Sequence, residues 1–374
     1  DFLTGILVPL YRDFLLRLLD VELKGSGASE LFALYPLQIR CCLAFLMKWA
    51  YLFFDLACCF LIFFAYRRDK EISWMSLLCA WLFHPVLLYG VYVFGQYRII
   101  DTMFMWLIVF FLKRDKPVFA CLSLSCILLL DNFGFIVLLP FILCLGTDVK
   151  SILKYFLSAI VPFAVVFIPL LIHSGGYVVD AYLGSKFLWQ ATHAVFPSIP
   201  YSSMILKTIF AGGFIYVFLL LLKNHKLHLS SDQRLKLVGY VWCALLLPFF
   251  AGTMTSVHYF LWVLPFFMIL EKEGCPWPRT LNYLLIFLLF LFNLDSRSQN
   301  LGLFTPLDPN VRSIPSLHEI LAQWIPWGKV IGISRMLFSI LCLFMAWRLI
   351  GKRVIPLLRT GKTELAKKTV AQHS

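Results

Sequence analysis

Eleven apolar runs, separated by short polar segments, follow one another along this chain between residues 42 and 350. Hydrophobic residues make up 61% of the sequence and charged residues only 14%, whereas a soluble domain carries about 25% charged residues. A single soluble core cannot bury so much apolar surface, but lipid solvates it directly. The sequence therefore predicts an all-α, polytopic transmembrane helix bundle with about 11 spans.

The apolar runs differ in length. Three of them, at 98–112, 117–130 and 133–146, are shorter than the ~20 residues that cross a bilayer unaided. We predict that the helices in this region are broken near Pro117, Gly134 and Pro140, where the exposed backbone must face protein or a water-filled cavity. The predicted spans are 42–66, 72–94, 98–112, 117–130, 133–146, 151–172, 204–222, 237–252, 256–270, 279–294 and 329–350.

Basic residues alternate from one side of the predicted membrane to the other. They concentrate after every second span and in the C-terminal segment, and short loops rich in Lys and Arg are cytoplasmic. This rule explains the net charge of +13 without a nucleic-acid partner. We predict one integral membrane domain at 1–350, with an outer amphipathic segment at 1–41, outer loops at 173–203 and 295–328, and a basic cytoplasmic tail at 351–374.

Most polar residues of chemical interest fall on the predicted outer face. Arg98 and Asp101 are three residues apart, so on a helix they are neighbours and can pair. Such a pair at a span entrance marks either a functional site or a helix cap with a snorkelling Arg. Asp131 either caps the following helix or contributes a carboxylate.

Three further places combine polar and apolar residues. His258 follows Thr255 and Ser256 at the start of a span, which suits either an anion at a helix N-terminus or a hydroxyl cap beside a solvent-facing His. His84 precedes Pro85 within a span and either satisfies a freed carbonyl or contacts a ligand. Asp55 (like Lys48, two turns earlier) belongs to a polar network or to a site.

Several of these motifs occur in a known order. Together they resemble the motifs of the C-type glycosyltransferase superfold (GT-C), and the resemblance covers roughly residues 5–270. The motifs are Lys48–Leu56, Phe83–Pro85, Phe94–Tyr97, Pro140 and Thr255–Pro265. The chain is most similar to the mannosyltransferases that build glycosylphosphatidylinositol anchors and to their bacterial polyprenyl-dependent relatives. Arg98 stands where the family has Asp after Gly-Gln-x, and Asp101 follows three residues later.

The resemblance implies a reaction and roles for particular residues. Such enzymes take a sugar from a polyprenyl-phosphate donor and use an acidic residue of the first outer loop as base or metal ligand, after a first transmembrane helix that we expect upstream of Asp1. A divalent ion, Mg²⁺ or Mn²⁺, is compatible with this chemistry. The implied roles are catalytic for Asp13, Asp1 and Asp101, donor-phosphate binding for Arg98, His258, Gln96 and Tyr259, and substrate binding for Tyr97, Asp131, Trp189 and Lys186.

The function expected from this reading is transfer of mannose or another hexose to a lipid-linked or glycan acceptor. The partners are the lipid-linked donor, that acceptor and membrane lipid, in the bacterial inner membrane or the endoplasmic reticulum, with the active site on the extracytoplasmic or lumenal side. A transporter or flippase of lipid-linked sugars is an alternative, although the internal repeats typical of transporters are not visible. A noncatalytic GT-C-like membrane protein is another.

Overall fold

A computed structural model describes residues 37–93, 97–174, 202–224, 227, 229–253, 256–293, 315 and 317–361 of the chain. Every regular element in these residues is helical, which confirms the all-α prediction. A helical segment lies at each of the eleven predicted spans. In chain order the α-helices are α1 (Leu37–Tyr66), α2 (Trp74–Leu82), α3 (Ile99–Lys113), α4 (Pro117–Leu130), α5 (Gly134–Leu145), α6 (Val149–Ser174), α7 (Ser202–Asn224), α8 (Ser231–Gly252), α9 (Leu264–Glu273), α10 (Thr280–Asn293), α11 (Leu317–Leu321) and α12 (Trp327–Leu349).

Six helical segments of the described chain are long and apolar enough to cross a membrane, and they indicate an integral membrane protein. The other predicted spans correspond to shorter helices, so the count of eleven crossings stays a prediction. The six segments are Trp49–Tyr66, Trp74–Val93, Val149–Ile172, Ile205–Asn224, Ser231–Gly252 and Trp327–Gly361.

Two non-α segments lie beside the longer helices and matter for the site. After α2, a short turn at Pro85–Leu87 leads into a π-helix at Leu88–Val93. After α8, a 3₁₀-helix at Val257–Trp262 precedes α9. The π-helix is wider than an α-helix and the 3₁₀-helix is tighter, and such segments within helical proteins often mark functional sites.

Proline and glycine set several helix boundaries. Pro117 occupies the first turn of α4, where its missing N–H leaves no hydrogen bond unmade, and α5 begins at Gly134. Those two predictions are confirmed. Pro140 instead lies inside α5, which continues to Leu145, so our prediction of a break at Pro140 was wrong.

Helix α8 forms the centre of the bundle. Sixteen of its 22 residues are buried, whereas Ala159 alone is buried in the Val149–Ile172 segment of α6, so α8 is enclosed by protein while α6 presents apolar side chains outward. A capping box, in which Ser230 and Gln233 exchange side-chain and backbone hydrogen bonds, begins α8. Further along α8, the Trp242 indole donates to the Trp262 carbonyl oxygen at 2.8 Å, and this bond connects the 3₁₀-helix to the central helix.

Ion pairs join distant loops at one end of the bundle, which we call the basic end. Lys113 pairs with Asp69 and, at 3.2 Å, with Asp232. Lys236 lies 3.3 Å from Glu71 and 3.7 Å from Glu273. These contacts bring together the loops around residues 67–73, 113–116, 230–236 and 272–273, which the charge pattern had placed on one face. We call the opposite end, where the π-helix ends and α3 begins, the distal end.

The C-terminal part of the chain stays helical beyond the predicted tail boundary at 350. A π-helix at Ile350–Val354 continues α12, and helical structure extends to Gly361. The predicted outer loop 295–328 contains the short helix α11 and the start of α12. Residues 362–374 and 1–36, including the predicted outer amphipathic segment, lie outside the described residues.

Candidate functional site

A buried ion-pair cluster lies at the distal end, where α3 begins and α4 ends. The Arg98 guanidinium forms an ion pair with Asp131 and lies 3.4 Å from Asp101, three residues later on the same helix. Asp101 is completely buried, and Arg98 and Asp131 are 9% and 8% exposed. The predicted pairing of Arg98 with Asp101 is therefore confirmed, and Asp131 completes a cluster with one positive and two negative groups.

Aromatic rings enclose the Arg98 guanidinium. The guanidinium carbon lies 4.7 Å from the Tyr97 ring centre, 5.3 Å from that of Tyr259 and 5.0 Å from that of Trp262. Ring faces attract a cation at such distances. The Trp262 indole also donates to Asp101 at 3.3 Å, and Phe133 stacks on Trp262 with ring centres 4.2 Å apart. The rings and the carboxylates together hold Arg98 in one orientation.

The segment around His258 differs from both sequence-based interpretations. It is a six-residue 3₁₀-helix whose preceding Ser256 makes no side-chain capping bond, and His258 is 6% exposed rather than solvent-facing. The solvent-facing His and a cap by the Ser256 hydroxyl were therefore wrong. The long helix start that we expected to favour an anion is a short 3₁₀ segment here, which lacks the aligned dipole of a long α-helix, and anion binding by His258 stays a prediction. His258 instead packs against Tyr259, with ring centres 4.2 Å apart.

Close backbone packing joins the 3₁₀-helix to the π-helix. A Cβ atom at Gly90 would lie 3.2 Å from the His258 Cα atom, so glycine permits this approach. In the same π-helix, the Tyr92 hydroxyl donates to Asp55 at 2.5 Å, while the Trp81 indole donates to the other Asp55 oxygen at 2.7 Å. Asp55 thus belongs to a polar network across three helical segments, as one of the two interpretations predicted.

Two other interpretations are corrected by the hydrogen bonds. His84 Nδ1 accepts the backbone N–H of Val86 at 3.3 Å, so His84 caps the turn after α2, a role outside both interpretations of this residue. Asp131 follows the last residue of α4, and Phe133 is the residue that precedes α5. Asp131 therefore contributes a carboxylate to the Arg98 cluster and does not cap α5, which was the other interpretation.

The structure places part of the predicted site. It brings Tyr97, Arg98, Asp101, Asp131, His258 and Tyr259 together at the distal end. The predicted site residues Asp1, Asp13, Gln96, Lys186 and Trp189 lie outside the described residues, and so does the side chain of Lys48. No group of three or more His, Cys, Asp or Glu side chains suited to a metal ion occurs within the described part of the chain, and the divalent-ion expectation stays a prediction.

Sequence reasoning missed one charged residue near this end, Arg335 in α12. It is 8% exposed and donates to the Thr253 carbonyl oxygen at 3.0 Å. An Arg within the apolar run 329–350 was the available signal, since intramembrane charges are rare and functional by default. Trp262 was also passed over, because an aromatic residue in an apolar run gives no sign that its indole meets a carboxylate.

These features define the class of the protein: an all-helical protein with apolar helices that indicate a membrane location, and a buried, aromatic-lined ionic cluster at the end opposite its basic loops. No protein-family model, curated protein or solved structure matches the chain.

Proposed function

We propose that this protein is a glycosyltransferase that moves mannose or another hexose from a polyprenyl-phosphate donor to a lipid-linked or glycan acceptor. The observation that carries the proposal is the meeting of Arg98, Asp101 and Asp131 inside an aromatic enclosure at the distal end. Ionisable groups buried among apolar helices are costly and are retained where they serve a function. Aromatic walls with a few convergent polar groups are also typical of small-molecule sites.

The reaction that we propose needs a base on the acceptor side. The base removes the acceptor hydroxyl proton as its oxygen bonds to the anomeric carbon, and the bond from that carbon to the phosphate oxygen breaks. The electron pair leaves with the polyprenyl phosphate. We assign the base to Asp13, on the resemblance to GT-C enzymes, with Asp1 as the other acidic candidate in that segment.

The described residues support positioning roles more than direct proton transfer. Asp101 is completely buried and contacts Arg98 and Trp262, so we propose that it orients those two groups. Asp131, which is 8% exposed, is our candidate for contact with a sugar hydroxyl. Tyr97 and Tyr259, both half-buried, are proposed to line the sugar site. With the basic end cytoplasmic, this chemistry takes place on the extracytoplasmic or lumenal side.

A noncatalytic membrane protein is the second candidate, and burial favours it. A cluster in which Asp101 is 0% and Arg98 9% exposed resembles a structural network as well as a site. The two candidates differ in whether the cluster contacts a substrate. They are separated by activity and not by stability, because both predict that the cluster supports the fold.

The test is sugar transfer by the purified protein in lipid, with a panel of labelled polyprenyl-phosphate sugars and with Mg²⁺, Mn²⁺ or a chelator. We expect transfer or release from one donor. Asp131→Asn should lower it, whereas Asp232→Asn, the same change at the 65%-exposed partner of Lys113 on the basic end, should not. A silent panel would overturn the proposal; movement of intact lipid-linked sugar between leaflets would then favour a flippase.

A further inference from the structure

The two buried arginines near the distal end differ in their charge balance. Arg98 is flanked by two carboxylates, so its cluster carries a formal charge of one negative unit. An incoming anion meets repulsion there unless a carboxylate is protonated or displaced. Arg335 has no carboxylate within ion-pair distance among the described residues; its recorded contacts are the Thr253 carbonyl and, at 5.8 Å, the Phe292 ring.

Arg335 also retains unused hydrogen-bonding capacity. A guanidinium carries five N–H groups, and the bond to Thr253 uses one of them, at Nη2. Thr253 is the C-cap of α8, so this bond favourably places a cation at a helix C-terminus. Capping alone leaves a buried positive charge without a counter-ion, which is a costly arrangement in an apolar bundle. The arrangement is explained if the counter-ion is a ligand.

Two glycines leave room on the distal side of Arg335. Gly332 and Gly328 precede Arg335 by three and seven residues on α12, so all three lie near one helix face. A Cβ atom at either glycine would meet no atom within 4 Å in the described structure. Arg335 itself lies about 12 Å along the helix axis from Trp327, the first residue of α12. The open stretch of this face therefore lies between the start of α12 and the helix turn that carries Arg335.

We propose that Arg335 binds the phosphate of an anionic lipid that enters along the Gly328–Gly332 face of α12. This inference rests on the proposed function for the identity of the lipid, a polyprenyl phosphate. It moves the main donor-phosphate contact from Arg98, one of the residues to which the resemblance assigned it, to a residue whose charge is not already balanced. Arg98 then serves to orient Asp101 and Asp131 beside the sugar.

The experiment measures binding of three probes to the purified protein in lipid nanodiscs: a sugar-free polyprenyl phosphate, the polyprenol of equal length, and inorganic phosphate. We expect the wild-type protein to prefer the lipid phosphate over the alcohol. Arg335→Gln should reduce that preference about tenfold or more, since hydrogen bonds between charged groups are the strong ones. Arg335→Lys should retain part of it. Inorganic phosphate bound as well as the lipid phosphate would show a free-anion site and overturn the lipid assignment.

Matched variants separate binding from folding. Lys329→Gln removes an exposed cation from the first turn of the same helix and should leave the preference unchanged. Gly332→Leu should weaken lipid-phosphate binding by filling the open face. If Arg335→Gln lowers thermal stability but keeps the wild-type preference for phosphate over alcohol, Arg335 is only a helix cap and the inference is wrong.

The outcomes also separate this inference from the proposed function. Sugar transfer by the wild-type protein together with unchanged phosphate preference in Arg335→Gln would overturn the inference alone. Phosphate preference that depends on Arg335, without any sugar transfer, would support the inference and overturn the transferase proposal.

Discussion

The Arg98 guanidinium at the start of α3 forms an ion pair with the Asp131 carboxylate that follows α4. The pair joins the distal ends of two consecutive helices, and Asp101 meets the same guanidinium from within α3 at 3.4 Å. Because two carboxylates share one cation, the three side chains do not contribute equally to stability. Removing the shared cation leaves two buried negative groups, while removing either carboxylate leaves a balanced pair.

We therefore predict that Arg98→Gln destabilises the protein far more than Asp131→Asn. An uncompensated buried charge costs about 3–5 kcal/mol, and Arg98→Gln leaves the completely buried Asp101 in that state. Thermal unfolding of the purified variants in detergent measures the difference. The double variant Arg98→Gln/Asp131→Asn should be less destabilised than the sum of the single changes. Equal losses for the two single variants would contradict a shared cation.

The transferase proposal predicts that Asp13→Asn abolishes sugar transfer while the protein still folds. Amide replaces carboxylate at nearly constant size, so the variant loses a proton acceptor and little else. Transfer by the variant is compared with wild type, together with its thermal unfolding temperature. Asp20→Asn, the same change in the same N-terminal segment, serves as the control and should retain activity. Wild-type turnover in Asp13→Asn would remove this residue from the mechanism.

The Asp55 network predicts a stability loss on removal of one hydroxyl. Tyr92→Phe leaves the buried Asp55 with the Trp81 indole as its remaining recorded donor. Hydrogen bonds to charged groups contribute about 1.5–3 kcal/mol, so we expect a loss of that order. Denaturation of Tyr92→Phe beside Tyr216→Phe, an exposed tyrosine of α7, measures it. A similar small effect of both changes would show that the Tyr92 bond contributes little.

Acid should weaken the basic end through Asp69. Burial tends to raise the pKa of Asp69, but the Lys113 ammonium and the backbone N–H groups of Ile72 and Glu71 outweigh burial and lower it below 3.8. A carboxyl with a lowered folded-state pKa stabilises the fold above its unfolded pKa, and this contribution is lost as the pH falls through the folded value. Asp69→Asn should therefore destabilise the protein at pH 7, and the difference from wild type should shrink below about pH 4.

The measurement is the unfolding temperature of wild type and of Asp69→Asn, first at pH 7 and then below about pH 4. Glu71→Gln is the control, because Glu71 is an exposed partner of Lys236, and exposed pairs contribute about 0–1 kcal/mol. Each variant is compared with wild type at the same pH, because Glu273 also affects the pH dependence of stability. Burial raises the pKa of Glu273, whereas the pKa of Asp69 is lowered. A loss in Asp69→Asn that is the same at both pH values would show that the carboxylate charge is not responsible.

Much of the site could be anticipated because its residues are close in sequence. Arg98 and Asp101 are neighbours on one helix turn, and their pairing follows from helix geometry. The pairing with Asp131 could not be derived in this way. The pairing depends on how α3 and α4 pack, and a role for Asp131 as the cap of α5 fitted the local sequence equally well. His258 was misread for a related reason: its neighbours suggested the start of a long helix, and the chain forms a 3₁₀ segment against Gly90 instead.

Hydropathy, run length and charge were enough to predict the helical class, the membrane location that the helices indicate, and the grouping of the basic loops, because these are local properties that act wherever the chain packs. Which buried charges neutralise one another depends instead on how the helices pack. Arg98 finds two carboxylates, while Arg335, on another helix, finds a carbonyl oxygen. Coulomb attraction falls with distance, so the charge of a buried group is balanced by what the fold brings beside it and not by what precedes it in the chain.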